Sequence, residues 1–270
     1  MAESLTLTVG VVGCGAMGGA IARGLVESGT LESARLLVAD SDPARLAPFA
    51  AIGARTFADG AALLADAPDV LVLAVKPQVL GDVMATLAPH AGERLVISIA
   101  AGVPTSAIEA ALPAARVVRV MPNLPVQVRS GATAICAGSR AGEKDVELAC
   151  ALFSALGATA VMREDQLDVA GAVSGCAPAF FSLFVDALTR AGVRAGLPAA
   201  CARDMVESTM RGCAEQLLTE GVHPREYMER VTSPGGTTAA ALFELEGPLT
   251  EGTYAAIDAA LARTRELAEG

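Results

Sequence analysis

Apolar residues come in short unbroken runs over the first ~160 positions and at helical spacing after them. The runs at 5–12, 35–39, 69–75, 94–99, 117–121 and 132–137 are rich in Val, Ile and Leu, and each predicts a strand. Between them the segments 16–28, 43–51, 60–66, 79–88, 104–112 and 142–155 carry helical patterns. Strands without polar alternation, each followed by a helix, predict a parallel sheet covered on both faces. Beyond Met162 the pattern changes. Apolar positions recur at helical spacing through 165–193, 199–220, 237–246 and 253–268, punctuated by Gly192, Gly196-Leu197-Pro198, His223-Pro224 and Ser233-Pro234-Gly235-Gly236. The expected architecture is α/β over 1–162 and all-α over 163–270.

Composition narrows the class. The chain has 270 residues, 53% hydrophobic and only 3% aromatic, with no Trp. Mean hydropathy is +0.48. A chain this apolar can offset its ordering entropy and is not disordered. Twenty Lys and Arg against thirty Asp and Glu give a net charge of −10, which leaves no basic surface for a nucleic acid. The uncharged run 4–22 holds Gly10, Gly13, Gly15, Gly18 and Gly19 and follows Glu3, so it predicts neither a membrane span nor a signal peptide. The run 169–185 holds Gly171, Gly175 and Pro178, and again no span is predicted. A cytoplasmic protein is expected. The later helices are too apolar to face water on one side, and a dimer packing them together is the natural remedy. Cysteines 14, 136, 150, 176, 201 and 213 form no C-x-x-C pair, and the only histidines are His90 and His223. Free thiols and no metal site are expected.

The first chemical signal lies at 13–18. The run ending at Val12 enters Gly13-Cys14-Gly15-Ala16-Met17-Gly18 and then an Ala-rich helix, which is G-x-G-x-x-G between strand and helix. Gly13 permits the tight turn, Gly15 lets the backbone approach a pyrophosphate, and Gly18 allows close helix–strand packing. The helix N-terminus offers aligned N–H groups to the anion. A Rossmann-like dinucleotide-binding domain follows. Asp40 ends the second strand. A carboxylate there can accept from a ribose 2′-hydroxyl and repel a 2′-phosphate, which tilts the expectation towards NADH. Ser41 and Arg45 could serve the phosphate of NADPH if Asp40 turns away.

Other loops at the carboxyl ends of the strands should face the same crevice. They are Val75-Lys76-Pro77, Ala100-Ala101-Gly102 and Pro122-Asn123-Leu124-Pro125. Lys76 could approach ribose or phosphate, or be an ordinary surface lysine. Asn123 is an amide fixed between two prolines, suited to nicotinamide or substrate, or else a turn residue bonding its own backbone. In the helical half, Val231-Thr232-Ser233-Pro234-Gly235-Gly236-Thr237-Thr238 precedes a helix. Two glycines and two threonines there form an anion cradle for a carboxylate. The alternative is a plain N-cap.

That segment, with A-L-F-E-L-E after it, resembles the signature of pyrroline-5-carboxylate reductases. The likeness extends over nearly the whole chain: G-C-G-A-M-G, A-V-K-P at 74–77, S-I-A-A-G at 98–102, M-P-N at 121–123, E-D-Q-L-D at 164–168, S-G-C-A-P-A-F at 174–180, A-G-V-R-A-G-L-P at 191–198 and H-P at 223–224. The resemblance implies reduction of the C=N bond of 1-pyrroline-5-carboxylate to L-proline by NADPH or NADH. It implies that Gly13 to Gly18, Ser41, Val75, Lys76, Pro77, Ala101 and Asn123 lie along the cofactor. It implies that Ser233, Gly235, Gly236, Thr237 and Thr238 receive the substrate, with Glu164 nearby. It also implies an obligate homodimer with interleaved C-terminal helices, often built into a ring of dimers, in which one copy's cofactor meets the other's substrate residues.

The chemistry agrees. An iminium carbon is already electrophilic, so hydride transfer needs orientation and one hydrogen bond to nitrogen. The helical half has no lysine and one histidine, His223 before Pro224, so no base for a hydroxy-acid oxidation is evident. Thr238 is the candidate catalytic residue, as proton donor or positioner. The chain departs from the family pattern at Cys176, Ala177, Phe180 and Leu124, and its tail after Glu246 lacks a G-F-R run. A related cyclic imine as substrate, or a dinucleotide-binding regulator without catalysis, are the competing readings.

Overall fold

The computed structural model of the chain describes residues 5–269. Eight strands form one sheet: β1 (Val9–Val12), β2 (Leu36–Ala39), β3 (Arg55–Phe57), β4 (Val70–Leu73), β5 (Leu95–Ser98), β6 (Arg116–Pro122), β7 (Gly131–Ala137) and β8 (Gly157–Val161). Their order is β3-β2-β1-β4-β5-β6-β7-β8. From β3 to β6 every pair is parallel. β7 runs antiparallel to β6, and β8 follows β7 in parallel. The chain leaves β1 towards β2 on one side and returns to β4 on the other, which opens a crevice at the carboxyl end of β1.

The sequences of β1, β2 and β4 are apolar throughout because both faces are covered. Val9 and Val11 point into one core with Ile21 and Leu25 of helix α1 (Ala16–Glu27), Phe49 of α2 (Pro43–Ala51), and Leu152 and Phe153 of α6 (Glu143–Ser154). Val12 and Leu37 point into the other, with Leu63 of α3 (Gly60–Ala65), Leu80 and Leu87 of α4 (Pro77–Ala91) and Ile108 of α5 (Thr105–Ala111). Successive side chains alternate between faces, so each core receives every second residue.

Several boundaries differ from the sequence reading. β1 begins at Val9 rather than Leu5, which makes only an isolated bridge to Leu31. β3 and β8 have no counterpart among the expected strands: one has three residues, and both are exposed or half-buried edge strands without an apolar run. The helix expected over 165–193 is divided into α7 (Glu164–Ala170), a π-helical segment Gly171–Gly175 and α8 (Cys176–Arg194). After α9 (Ala199–Glu220), the His223-Pro224 punctuation is the start of α10 (Pro224–Arg230), with proline at its first turn and His223 Nδ1 accepting from the Arg225 N–H at 3.2 Å. The two helices expected over 237–246 and 253–268 are one, α11 (Thr237–Glu269), because Pro248 removes a single rung of the ladder.

The chain forms two compact units, residues 1–175 with 261–270, and residues 176–260. The sequence reading divides it after Met162. The segment from Glu164 to Gly175 goes with the sheet because Leu167 is fully buried against Ala134 and Cys136 of β7. Arg119 of β6 also pairs with Asp168 at 2.9 Å and Glu164 at 3.3 Å. In the second unit α8 and α9 pack together, while Phe181, Leu183, Leu218, Phe243 and Tyr254 remain exposed. The continuous helical run Glu164–Arg194 is long and apolar enough to cross a membrane by length and composition alone.

Leu167→Ala should lower the free energy of unfolding by about 3 kcal/mol, read from urea denaturation, since it opens a cavity between α7 and β7. A loss below about 1 kcal/mol would mean that α7 is not part of the sheet's core.

Candidate active site

The crevice is built by a turn that only glycines allow. Gly13 leaves β1 at φ +96° and donates its N–H to the Ala39 carbonyl at 2.8 Å. A Cβ on Gly18 would collide with the Gly13 carbonyl and lie 2.7 Å from Ala74 Cβ, so α1 can approach the sheet only with glycine there. Gly15 is the N-cap of α1, makes no side-chain cap bond, and has open space where its Cβ would stand. The first-turn N–H groups of α1 therefore face the crevice without partners from the helix. Such a helix N-terminus is suited to an anion.

Asp40 holds this turn in place. Its Oδ2 accepts from the Cys14 N–H at 2.7 Å and its Oδ1 from the Asp42 N–H at 2.9 Å. The Arg45 guanidinium stands 3.5 Å from Asp40 and 3.5 Å from Asp42. Only 6% of the Asp40 side chain is exposed. The sequence reading gave this carboxylate to the ribose 2′-hydroxyl. In the structure each of its oxygens accepts from a backbone N–H of the loop, so the carboxylate also shapes the turn. Burial, with the Asp40 charge beside it, pushes the Cys14 thiol up to about 12.

A cleft of about 830 Å³ runs along the carboxyl ends of the strands. Gly13, Gly15, Ala16, Met17, Asp40, Ser41, Val75, Lys76, Pro77 and Ala101 all line it. Lys76 is exposed at the N-cap of α4 and has no ion-pair partner among the described residues. Arg45 also lines the cleft, as do Val79, Val83 and Thr86 of α4 and Met121 at the end of β6. The α4 residues escaped the sequence reading. Their signal was an apolar stripe wider than the core needs, Val79 and Val83 beside the buried Leu80, Met84 and Leu87.

Three expected cofactor residues lie off the cleft wall. Cys14 is buried beneath the turn and Gly18 is packed against the sheet. Asn123 is also buried. Its Oδ1 accepts from the Ala132 N–H at 2.8 Å and its Nδ2 donates to the Ser174 carbonyl at 3.0 Å, so its amide is tied to two neighbouring segments. Glu164, expected near the substrate, accepts from the Thr105 N–H and hydroxyl, each at 2.7 Å, as well as from Arg119. Burial pushes its pKa up, but the two Thr105 bonds and Arg119 outweigh it and hold the carboxyl below its ordinary range.

In the helical unit, the Ser233 carbonyl accepts from the Gly236 N–H at 3.0 Å, closing a turn with Gly235 at φ +69° immediately before α11. Among the described residues the hydroxyls of Ser233, Thr237 and Thr238 make no hydrogen bond. The threonines do not cap the helix that they begin, which removes the N-cap alternative and leaves hydroxyls and first-turn N–H groups open to a carboxylate. No group of three His, Cys, Asp or Glu able to hold a metal is found among the described residues.

Comparison with known proteins decides the family. The model described as pyrroline-5-carboxylate reductase dimerisation matches residues 164–267, and one described as NADP oxidoreductase, coenzyme F420-dependent, matches 8–102. Pyrroline-5-carboxylate reductase 3 of Macaca fascicularis is 37% identical, covering 98% of each chain. The chain belongs to the pyrroline-5-carboxylate reductase family. Among solved structures, the pyrroline-5-carboxylate reductase of Coxiella burnetii superposes with a TM-score of 0.92 at 35% identity, covering 97% of this chain and 99% of its own. The pyrroline carboxylate reductase of Plasmodium falciparum, solved with NADP bound, gives 0.85 at 26% identity over 98% and 100%.

Against the pattern of pyrroline-5-carboxylate reductases, Leu124 is exposed in the 3₁₀ turn Leu124–Val128, and Phe180 lines an apolar groove with Leu183, Leu245 and Leu249.

The glycines should separate by role. Gly15→Ala fits the fold but fills the approach to the α1 N-terminus. It should weaken NADPH binding, measured by fluorescence titration, about tenfold or more while leaving the melting temperature within about 2 °C. Equal affinity for NADPH would remove Gly15 from the phosphate site.

Proposed function

We propose that this chain reduces the C=N bond of 1-pyrroline-5-carboxylate to L-proline, with NADPH as the preferred hydride donor, as a cytoplasmic homodimer. The observation that carries the reading is full-length membership of the reductase family in a chain that keeps both a dinucleotide cleft and the S-P-G-G-T-T cradle.

The residues fit the cofactor. Gly15 leaves room for pyrophosphate at the α1 N-terminus, and a strand-end cleft of this volume accommodates a dinucleotide. NADPH supplies the hydride. Ser41 and Arg45, which line the cleft, would receive the 2′-phosphate, with the Asp40 charge offset by two N–H groups and Arg45 itself. Val79 and Val83 give the adenine an apolar wall. Lys76, unpaired, supplies charge beside the phosphates.

The cradle before α11 takes the carboxylate of the substrate on its backbone N–H groups. Thr238 offers its hydroxyl to the ring nitrogen, which fixes the C=N carbon for attack and supports the nitrogen as it becomes an amine. Its proton is too tightly held for it to act as a free acid, so Thr238 orients and water completes the protonation. No general base is required. The exposed apolar faces of α8 and α11 are covered by a second copy rather than by lipid, in keeping with the dimerisation match. In this dimer the cradle of one copy serves the cofactor of the other, as the family resemblance implies.

Purified protein mixed with pyrroline-5-carboxylate should consume NADPH, followed at 340 nm. No consumption with NADPH or NADH would overturn the reading, whereas turnover only on a six-membered cyclic imine would move it to that substrate. Thr238→Ala should lower kcat about 10- to 1,000-fold with NADPH affinity unchanged. If nucleotide affinity collapses while kcat holds, Thr238 is misassigned. Arg45→Ala should reduce kcat/KM for NADPH about tenfold more than for NADH. Equal reductions would remove Arg45 from 2′-phosphate recognition.

A further inference from the structure

The π-helical segment Gly171–Gly175 has a cause in the sequence. In a regular helix the Ser174 carbonyl would accept from the N–H of residue 178, but residue 178 is proline and has none. The proline ring also crowds the carbonyl four residues before it, which opens the helix at this point. The half-buried Ser174 carbonyl instead accepts from the Asn123 Nδ2, just past β6, at 3.0 Å. The other end of the Asn123 amide accepts from Ala132, the second residue of β7, at 2.8 Å. A single buried side chain thus fastens the π segment to the ends of two strands.

What rests on this fastening is the cleft wall. Met121 and Pro122, immediately before Asn123, line the cleft. Met121 lies directly over Gly171 of the π segment: a Cβ there would stand 3.3 Å from Met121 Cγ and 3.4 Å from its Cε. Asp40 and Ser41 mark the other end of the cleft, after β2. Four strand spacings separate β2 from β6, about 19 Å at ~4.8 Å each, which is the span of an extended dinucleotide. If the adenine half lies by β2 and the pyrophosphate by β1, Met121 is at the reacting, nicotinamide end.

We infer that Asn123 is a positioning residue for hydride transfer: through the Pro178-opened π segment it sets the height of Met121 beneath the nicotinamide half of the cofactor. The inference rests on the reductase reading for the identity of the reaction, but the wall itself is a property of the cleft. The bonds of Asn123 run to Ser174 and Ala132, and it is through these neighbours that it acts on the wall.

Three variants approach the contact from different sides. Asn123→Ala removes both bonds. Gly171→Ala pushes Met121 from beneath and leaves both bonds in place. Pro178→Ala restores the missing N–H, so that the Ser174 carbonyl can return to the helix. Each is titrated with 2′,5′-ADP, which reports the adenine end alone, and with NADPH, and is assayed for turnover and melting temperature. The expected result is unchanged affinity for 2′,5′-ADP in all three. NADPH affinity or kcat should fall about tenfold or more, because a displacement of this order at the reacting end costs orientation. Pro178→Ala should do so while raising the melting temperature, an opposition that a merely structural role cannot produce. The inference is overturned if NADPH affinity and kcat stay at the parent values in Gly171→Ala and Pro178→Ala. It is also overturned if 2′,5′-ADP and NADPH affinities fall together. Should Asn123→Ala fail to fold, the other two decide. Should the parent protein reduce no imine, the reductase reading fails alone, since the split between the two affinities is still read.

Discussion

The first helix stands against the sheet only because Gly18 brings no side chain to a place already filled by the Gly13 carbonyl and Ala74. That close approach fixes the direction of α1, and so aims its unpaired N–H groups at the crevice. Asp40 completes the arrangement from below by holding the Cys14 N–H. The remaining cleft residues are attached to strand ends whose spacing the sheet dictates, from Ser41 after β2 to Met121 on β6. A methyl group at Gly18 would therefore disturb the whole cleft, whereas one at Gly15 would disturb only what binds there.

The parts of the fold legible in the sequence are those where local pattern and tertiary environment demand the same thing. Val70–Leu73 and residues 95–97 are apolar at every position because both faces are covered. Arg55–Phe57 and Gly157–Val161 lie at the sheet's two edges, half in water, and are strands because a neighbour offers hydrogen bonds rather than because of their own residues. Pro224 and Pro248 look alike as breakers, yet one starts a helix and the other lies inside one.

The site shows the same division. The glycine loop, Lys76 and Ser41 could be placed on the cleft from motif and strand ends alone. The roles of Asp40 and Asn123 could not. Both carry the right functional group at the right strand end, but each group also bonds a partner distant in sequence: Cys14 for one, Ser174 and Ala132 for the other. Sequence shows which side chain can bond, whereas only the fold shows what reaches it first. Glu164 is a third case, an acidic side chain in a family-like motif that closes on Thr105 and Arg119.

The burial of Cys14 has a chemical consequence. A thiol sits at the second position of the nucleotide turn, buried beneath the cleft wall. Burial, with the Asp40 charge beside it, raises its pKa to about 12 and disfavours the reactive thiolate at neutral pH. The neighbouring Asp40, which holds the loop for binding, also repels the charge that peroxides and electrophiles require. The carboxylate that gives the turn its shape thus adds to the burial that keeps the thiol protonated.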